Sequence, residues 1–172
     1  MKRVIILGSL LAAAVFVASP MAQTAAPKAT PKAAPKAAAA PAAGQGRLIE
    51  IGATDLMKFT VTTITAKPGE MLHVRLKATG TQPKAAMAHN FVLLNSGVDA
   101  MAFSMDAMSA SSTGYIPAAK MAQVIAHTPK MIGPGETTDV TFAAPTKPGD
   151  YAYICSFPAH FMAGMKGILT VK

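Results

Sequence analysis

Along residues 70–78 apolar and polar side chains alternate: Leu72, Val74 and Leu76 fall on one side of an extended chain, His73, Arg75 and Lys77 on the other. A period of two predicts a strand with one buried and one wet face, of the kind usual in antiparallel sheets, and it places His73 in solvent. Similar short runs occupy 48–51, 59–64, 90–94, 123–126, 137–142, 150–155 and 167–171. Lys67-Pro68-Gly69, Gly133-Pro134-Gly135 and Lys147-Pro148-Gly149 stand between them as turn signals. Their spacing predicts an all-β sandwich of about eight strands. Residues 98–120 break the pattern, with poor strand formers and helix-tolerant Ala and Met. Met101, Met105 and Met108 there share one helical face, which predicts a flap with one short helix. A methionine stripe suits Cu(I), but Met also fills irregular gaps well, and packing of the stripe onto the sandwich is the expectation.

Ahead of the first strand lie two stretches with another character. Lys2 and Arg3 precede a fourteen-residue, largely apolar run over 4–17, followed by small residues around Ala18, Ser19 and Ala22. This is the layout of a secretory signal over 1–22. Pro20 ends the run short of the roughly 20 apolar residues a membrane span needs. Export is therefore expected, with retention as an uncleaved anchor as the alternative. Residues 23–46 contain eleven Ala, four Pro and three Lys, and no Leu, Ile, Val, Met or aromatic residue. Repeated Ala-Pro-Lys and Thr-Pro-Lys units favour extended polyproline II and predict a solvated spacer. Residues 47–172 remain as the domain, long enough to bury about two thirds of its unfolded surface.

Charge alters little once it is divided along the chain. The formal net charge of +8 falls to +3 over 47–172, where eleven basic residues face eight acidic ones. With no basic cluster and no Trp, there is little for tracking phosphates or stacking bases. The single cysteine, Cys155, excludes disulfides and all-thiolate metal cages. Any metal site must mix ligand types.

The chemistry concentrates in one connection. Cys155 ends a predicted strand, His160 follows five positions on and Met165 five further. A tight loop would let thiolate, imidazole and thioether converge. That set, completed by a second histidine, suits copper held as both Cu(I) and Cu(II), with the Met as a weak axial donor. His89 is the best second histidine because it opens a strand at the rim of the sandwich. Met165 is preferred as axial ligand because it leads into the last strand, with Met162 as its competitor. His127, at the end of a different strand, reads as a surface residue.

Over nearly all of 47–172 the chain resembles the cupredoxins, and specifically the azurins and auracyanins. The resemblance rests on Met87-Ala88-His89-Asn90-Phe91-Val92-Leu93, on Val124-Ile125-Ala126-His127-Thr128 followed by Ile132-Gly133-Pro134-Gly135-Glu136, and on the Cys155 loop with Met165-Lys166-Gly167. Four residues separate His160 from Met165, as in auracyanins, which also carry an N-terminal linker. The resemblance implies a Greek-key sandwich holding one copper per chain through His89, Cys155, His160 and Met165. It makes the Ala88 carbonyl a candidate axial neighbour, at a position where azurins have glycine. It also makes Asn90, with Ser156 and Phe157, the residues that bond the loop around the thiolate.

The function implied is that of a type 1 blue copper protein, a soluble one-electron carrier outside the cytoplasm and not an enzyme. Electrons would pass by an exposed edge of His160, ringed by an apolar docking patch of Pro158, Ala159, Phe161 and Met162. Its donor and acceptor would be redox proteins met in transient encounters, with no nucleic acid, and with a membrane only if the N-terminal segment stays as an anchor. A periplasmic copper-binding or delivery protein is the alternative. A second, enzymatic copper of the nitrite-reductase kind would need about three more histidines, and only His73 and His127 remain.

Overall fold

The computed structural model describes residues 46–172; the signal expected at 1–22 and nearly all of the spacer expected at 23–46 lie outside the described residues. Nine strands are present among them: β1 Arg47–Thr54, β2 Lys58–Phe59, β3 Thr63–Ala66, β4 Met71–Ala78, β5 Val92–Leu94, β6 Val124–His127, β7 Thr137–Ala143, β8 Gly149–Ile154 and β9 Lys166–Val171. They form a four-stranded sheet ordered β2-β1-β4-β7 and a five-stranded sheet ordered β3-β9-β8-β5-β6. The inner faces of both supply one apolar core, so the sandwich expected from the alternation is the fold.

The expected strand at 59–64 is two strands, which raises the number from eight to nine. Phe59 pairs with Ala53 in the first sheet, and from Thr63 the chain pairs with Ile168 in the second. The corner between them is pinned by the Tyr153 hydroxyl, which donates to the Val61 carbonyl at 2.7 Å. Strand β4 alternates as read, with Leu72, Val74 and Leu76 fully buried. Its neighbours differ from expectation: it runs antiparallel to β7 but parallel to β1. Alternation reports that one face is buried; it carries no information about the direction of the adjacent strand. His73 is not simply solvated either, because its Nε2 lies 2.8 Å from Asp139 Oδ1, an oxygen shared with Arg75 Nε at 2.8 Å.

The core is keyed by aromatic rings. Phe91 stacks on Tyr153 at 5.1 Å and on Phe142 at 6.3 Å, and Tyr153 also meets Phe59 at 5.7 Å. Such pairs add roughly 0.5–1.5 kcal/mol each beyond the area they bury. Tyr153 lies across Gly167 of the neighbouring strand so closely that a Cβ there would collide with the ring.

The flap holds more than one helical piece. Helix α1 spans Ala100–Ala107, and two 3-10 turns follow at Ser111–Thr113 and Ala118–Gln123. Asp99 caps α1, its Oδ1 accepting from the amides of Met101 and Ala102 at 2.9 and 3.1 Å. Phe103 turns inward and packs with Val92, Leu94, Ile116, Ile154 and Phe161 in a second apolar cluster. The methionine stripe does not pack: Met101, Met105 and Met108 are 47%, 51% and 46% exposed. Inward packing is done by Phe103 and Ala107, which lie on another face of the helix.

Candidate metal centre

Strand β8 delivers Cys155 to the end of the sandwich, and the chain then makes a tight connection back into β9. His160 N donates to Phe157 O at 3.1 Å, closing a turn whose third residue, Ala159, has φ +68°. That sign of φ at the third position, with Pro158 before it, is the pattern of a type II turn. Met165 N donates to His160 O at 2.9 Å, and Cys155 N donates to Met165 O at 3.1 Å. The connection is thus stitched by its own backbone so that the three residues share one small region. Gly164, at φ +97°, supplies the reversal that leads into β9.

His89 arrives from a separate part of the chain. It lies three residues before β5 rather than opening that strand, in an isolated bridge with Ile132: each amide donates to the other's carbonyl at 2.9 Å. Candidate donor atoms of His89, Cys155 and His160 all lie within 4.8 Å of one another, and all three residues are buried. Cys155 Sγ is 3.4 Å from His160 Nδ1, and the two imidazole centroids are 5.0 Å apart. The Ala88 carbonyl oxygen lies 4.0 Å from Sγ, so the Cβ at this position does not keep that oxygen away from the group. Met165 is fully buried, whereas Met162 is 53% exposed.

Asn90 holds the centre from the side. Its Oδ1 accepts from Ser156 N at 2.9 Å, and its Nδ2 donates to Ser156 Oγ at 2.8 Å and to Gly114 O at 3.1 Å. One buried amide thereby ties the segment carrying His89 to the residue after Cys155 and to the flap. His127 has no such role; its Nδ1 contacts the Thr128 carbonyl at 3.0 Å.

Burial sets the protonation of the donors. It pushes the Cys155 thiol up to about 12, against the opposing pull of backbone hydrogen bonds from Asn90 and Phe157. It lowers His89 to about 4 and His160 to about 4, in the latter case assisted by the neighbouring His89. Near neutral pH both imidazoles are therefore neutral and able to ligate. His89 Nδ1 is buried with no hydrogen-bond partner among the described residues. Such an orphan is costly unless something else engages it. One soft sulfur, two borderline nitrogens and this unpaired nitrogen fit a copper ion better than a hard, oxygen-seeking cation.

Several participants left no usable sign in the sequence. Tyr115, at φ +62° directly after Gly114, sets its ring against Phe157 at 5.0 Å, and Phe157 meets His160 at 4.8 Å. Lys58 Nζ donates to Ala163 O at 2.5 Å, clasping the connection from 105 residues away. The expected docking patch is partly corrected. His160 is only 2% exposed, and Phe161 is buried in the flap cluster beneath the Lys166 ammonium, 5.0 Å from its ring centroid. Ala159 and Met162 stand exposed, with Pro158 half-buried.

A two-sheet sandwich with a buried Cys-His-His group at one end defines a class of small copper-site proteins. The model of the family described as copper binding proteins, plastocyanin/azurin family, matches residues 47–172. The chain belongs to this family, and copper is its cofactor, its His-Cys-His group with a buried methionine alongside having the type 1 pattern. Azurin of Pseudomonas denitrificans is 40% identical over 127 residues, 72% of this chain and 97% of that protein. Auracyanin-B of Chloroflexus aurantiacus is 38% identical over 120 residues, 69% of this chain, a match that spans about half (49%) of its own length. Among solved structures, the reduced auracyanin of Roseiflexus castenholzii superposes with a TM-score of 0.64 at 35% identity, covering 73% of this chain and 96% of that one. Auracyanin A of Chloroflexus aurantiacus, described as a "blue" copper protein, gives 0.63 at 33% identity, with 73% and 98% covered.

Proposed function

We propose that this protein is an exported one-electron carrier whose copper is held by His89, Cys155 and His160, with Met165 as the weak axial ligand. The observation that carries the reading is the complete burial of a donor set already assembled by backbone hydrogen bonds. A centre of this kind changes little between oxidation states, and burial leaves little room for a substrate to reach it. Bound copper supplies the alternation between Cu(I) and Cu(II). The chain's part is to fix the donors. Asn90 locks Ser156, the connection's own amides set His160 and Met165, and Lys58 and the flap hold the connection in place. The Ala88 carbonyl, on the sulfur side of the group, is the candidate second axial neighbour.

Contact with redox partners is assigned to the exposed part of the connection, Pro158, Ala159 and Met162, above a His160 that is reached through it. Such a small, partly apolar surface suits brief encounters burying less than about 1,200 Å². Residues 1–22 act as the export signal and 23–46 as a spacer, which places the carrier in the periplasm or outside the cell.

The test is a spectrum and a variant. The purified Cu(II) protein should carry one copper per chain and an intense visible band, with a reversible one-electron potential and fast self-exchange. Cys155→Ser should abolish the band, because the thiolate is its origin. Colour that survives this change overturns the site, and Cu(I) that passes readily to an acceptor without reversible electron exchange overturns the carrier in favour of copper delivery. N-terminal sequencing of the exported protein checks the signal; an intact Met1 in a membrane fraction identifies an anchor instead.

A further inference from the structure

The exposed methionine face of α1 has no part in the core or in the centre described above. Met101, Met105 and Met108 follow at spacings of four and three, the first two within capped helix α1 and Met108 as its C-cap, which keeps helical geometry. At about 100° per residue they fall within an arc of roughly 60°. Met105 is the neighbour of both others, with Cβ atoms about 5–6 Å apart, so its unbranched thioether arm can meet that of Met101 or that of Met108, while the outer two stand about 10 Å apart. Each of the three is about half exposed, while Phe103 and Ala107 do the inward packing.

The carboxylates of this segment are already engaged. Asp99 caps the helix, and Asp106 Oδ2 lies 2.5 Å from Lys120 Nζ, which also donates to the Ala102 carbonyl at 3.3 Å. The face therefore offers three neutral sulfur atoms, and the two carboxylates of the segment are each committed through one oxygen, Asp99 to the helix cap and Asp106 to Lys120. Hard divalent cations have nothing to prefer there, whereas soft thioethers select a soft monovalent ion.

We propose that Met101, Met105 and Met108 form a second metal site, separate from the buried centre, that takes one soft monovalent cation of the Cu(I) class between the sulfur of Met105 and that of Met101 or Met108, through thioethers alone. Because thioethers do not protonate, occupancy is insensitive to pH where imidazole sites empty. The site requires only the helix and stands whether or not the electron-carrier reading holds.

The experiment uses the full copper-loaded protein in its oxidised form, titrated with silver(I) in chloride-free buffer, with native mass spectrometry for stoichiometry and the visible band as a monitor of the buried centre. One silver should bind per chain with the band unchanged and with the same affinity at pH 5 and pH 7. The triple variant Met101→Leu/Met105→Leu/Met108→Leu keeps the length and apolar area of the face and removes its sulfur. It should keep its colour and lose silver affinity by on the order of tenfold or more. The exposed-methionine control Met71→Leu/Met121→Leu/Met162→Leu should bind silver as the parent does. Silver bound undiminished by the triple variant, silver that does not bind, a first equivalent that bleaches the band, or affinity that falls on acidification each overturns the site. The last points to an imidazole. A protein that never turns blue defeats the carrier reading while leaving the silver result readable.

Discussion

Two methionines follow His160, and their surroundings separate their consequences. Met165 is fully buried, with its backbone bonded to both His160 and Cys155, while Met162 stands half out in solvent. Exchanging a thioether for a hydrocarbon removes a weak donor that favours Cu(II), so Met165→Leu should raise the reduction potential while the blue band persists. Met162→Leu should leave it nearly unchanged. Voltammetry decides between them, against a scale on which about 59 mV is a tenfold change in a one-electron equilibrium. A shift confined to Met162→Leu would move the axial assignment. At Asn90 the prediction concerns stability. Its removal strands Ser156 N, Ser156 Oγ and Gly114 O in a buried region, so Asn90→Ala should cost about 2–4 kcal/mol in urea denaturation. A cost near zero would show that the amide clasp does not stabilise the connection.

Among the elements, β8 and β9 bear most directly on the centre, because Cys155 leaves one and Met165 leads into the other. They pair antiparallel from Gly149↔Val171 to Ile154↔Lys166, and the side chain that sets their fit is Tyr153, lying over Gly167. Burial raises the Tyr153 phenol well above its ordinary value, consistent with a hydroxyl committed to the Val61 carbonyl. Gly167→Ala would push the ring aside and should destabilise the fold by about 1–3 kcal/mol. The urea midpoint should fall while the slope of the transition stays the same. An unchanged midpoint would mean that the two strands shift without loss. The flap acts in the same way on the opposite side, fastened to the connection through Asn90 and Gly114, through Tyr115 against Phe157, and through Phe161 in the second apolar cluster.

For the molecule as a whole, the buried donors tie stability to pH. In the metal-free protein His89 and His160 hold their protons only below about 4, whereas in the unfolded chain they would do so below about 6.5. Between these limits the unfolded state binds more protons, so folding stability rises with pH and is lost as the pH falls from 6.5 toward 4. The slope is about 1.4 kcal/mol per pH unit for each imidazole. Cys155 acts at the other end: raised to about 12 from 9.0, it favours the folded state below pH 9 and loses that contribution above it. Urea midpoints of the metal-free protein across pH 4–10 should trace a plateau between these two declines; a flat profile below 6.5 would contradict the burial of the imidazoles. At pH 7 the imidazoles are neutral and Cys155 is a thiol, so copper uptake should release about one proton per chain. Titration in weakly buffered solution measures it.

What the chain determined by itself was local. Alternation at Leu72, Val74 and Leu76 depends only on which side chains share a face, and Cys155, His160 and Met165 sit within one connection whose own backbone bonds gather them. Those features survive any arrangement of the remaining strands. His89 was chosen from the sequence as the histidine beside a strand at the rim of the sandwich, but its approach to Cys155 depends on its bridge with Ile132 and on the pairing of β5 with β8, neither of which is encoded in the spacing. The parallel partner of β4, the corner that divides 59–64 and the Lys58 clasp are likewise contacts between distant segments. The sharpest differences concern exposure. His160 and Phe161 were expected outside and are buried, while Met101, Met105 and Met108 were expected inside and are exposed. A periodic pattern says which residues lie together; only the packing of one element against another decides which face is covered.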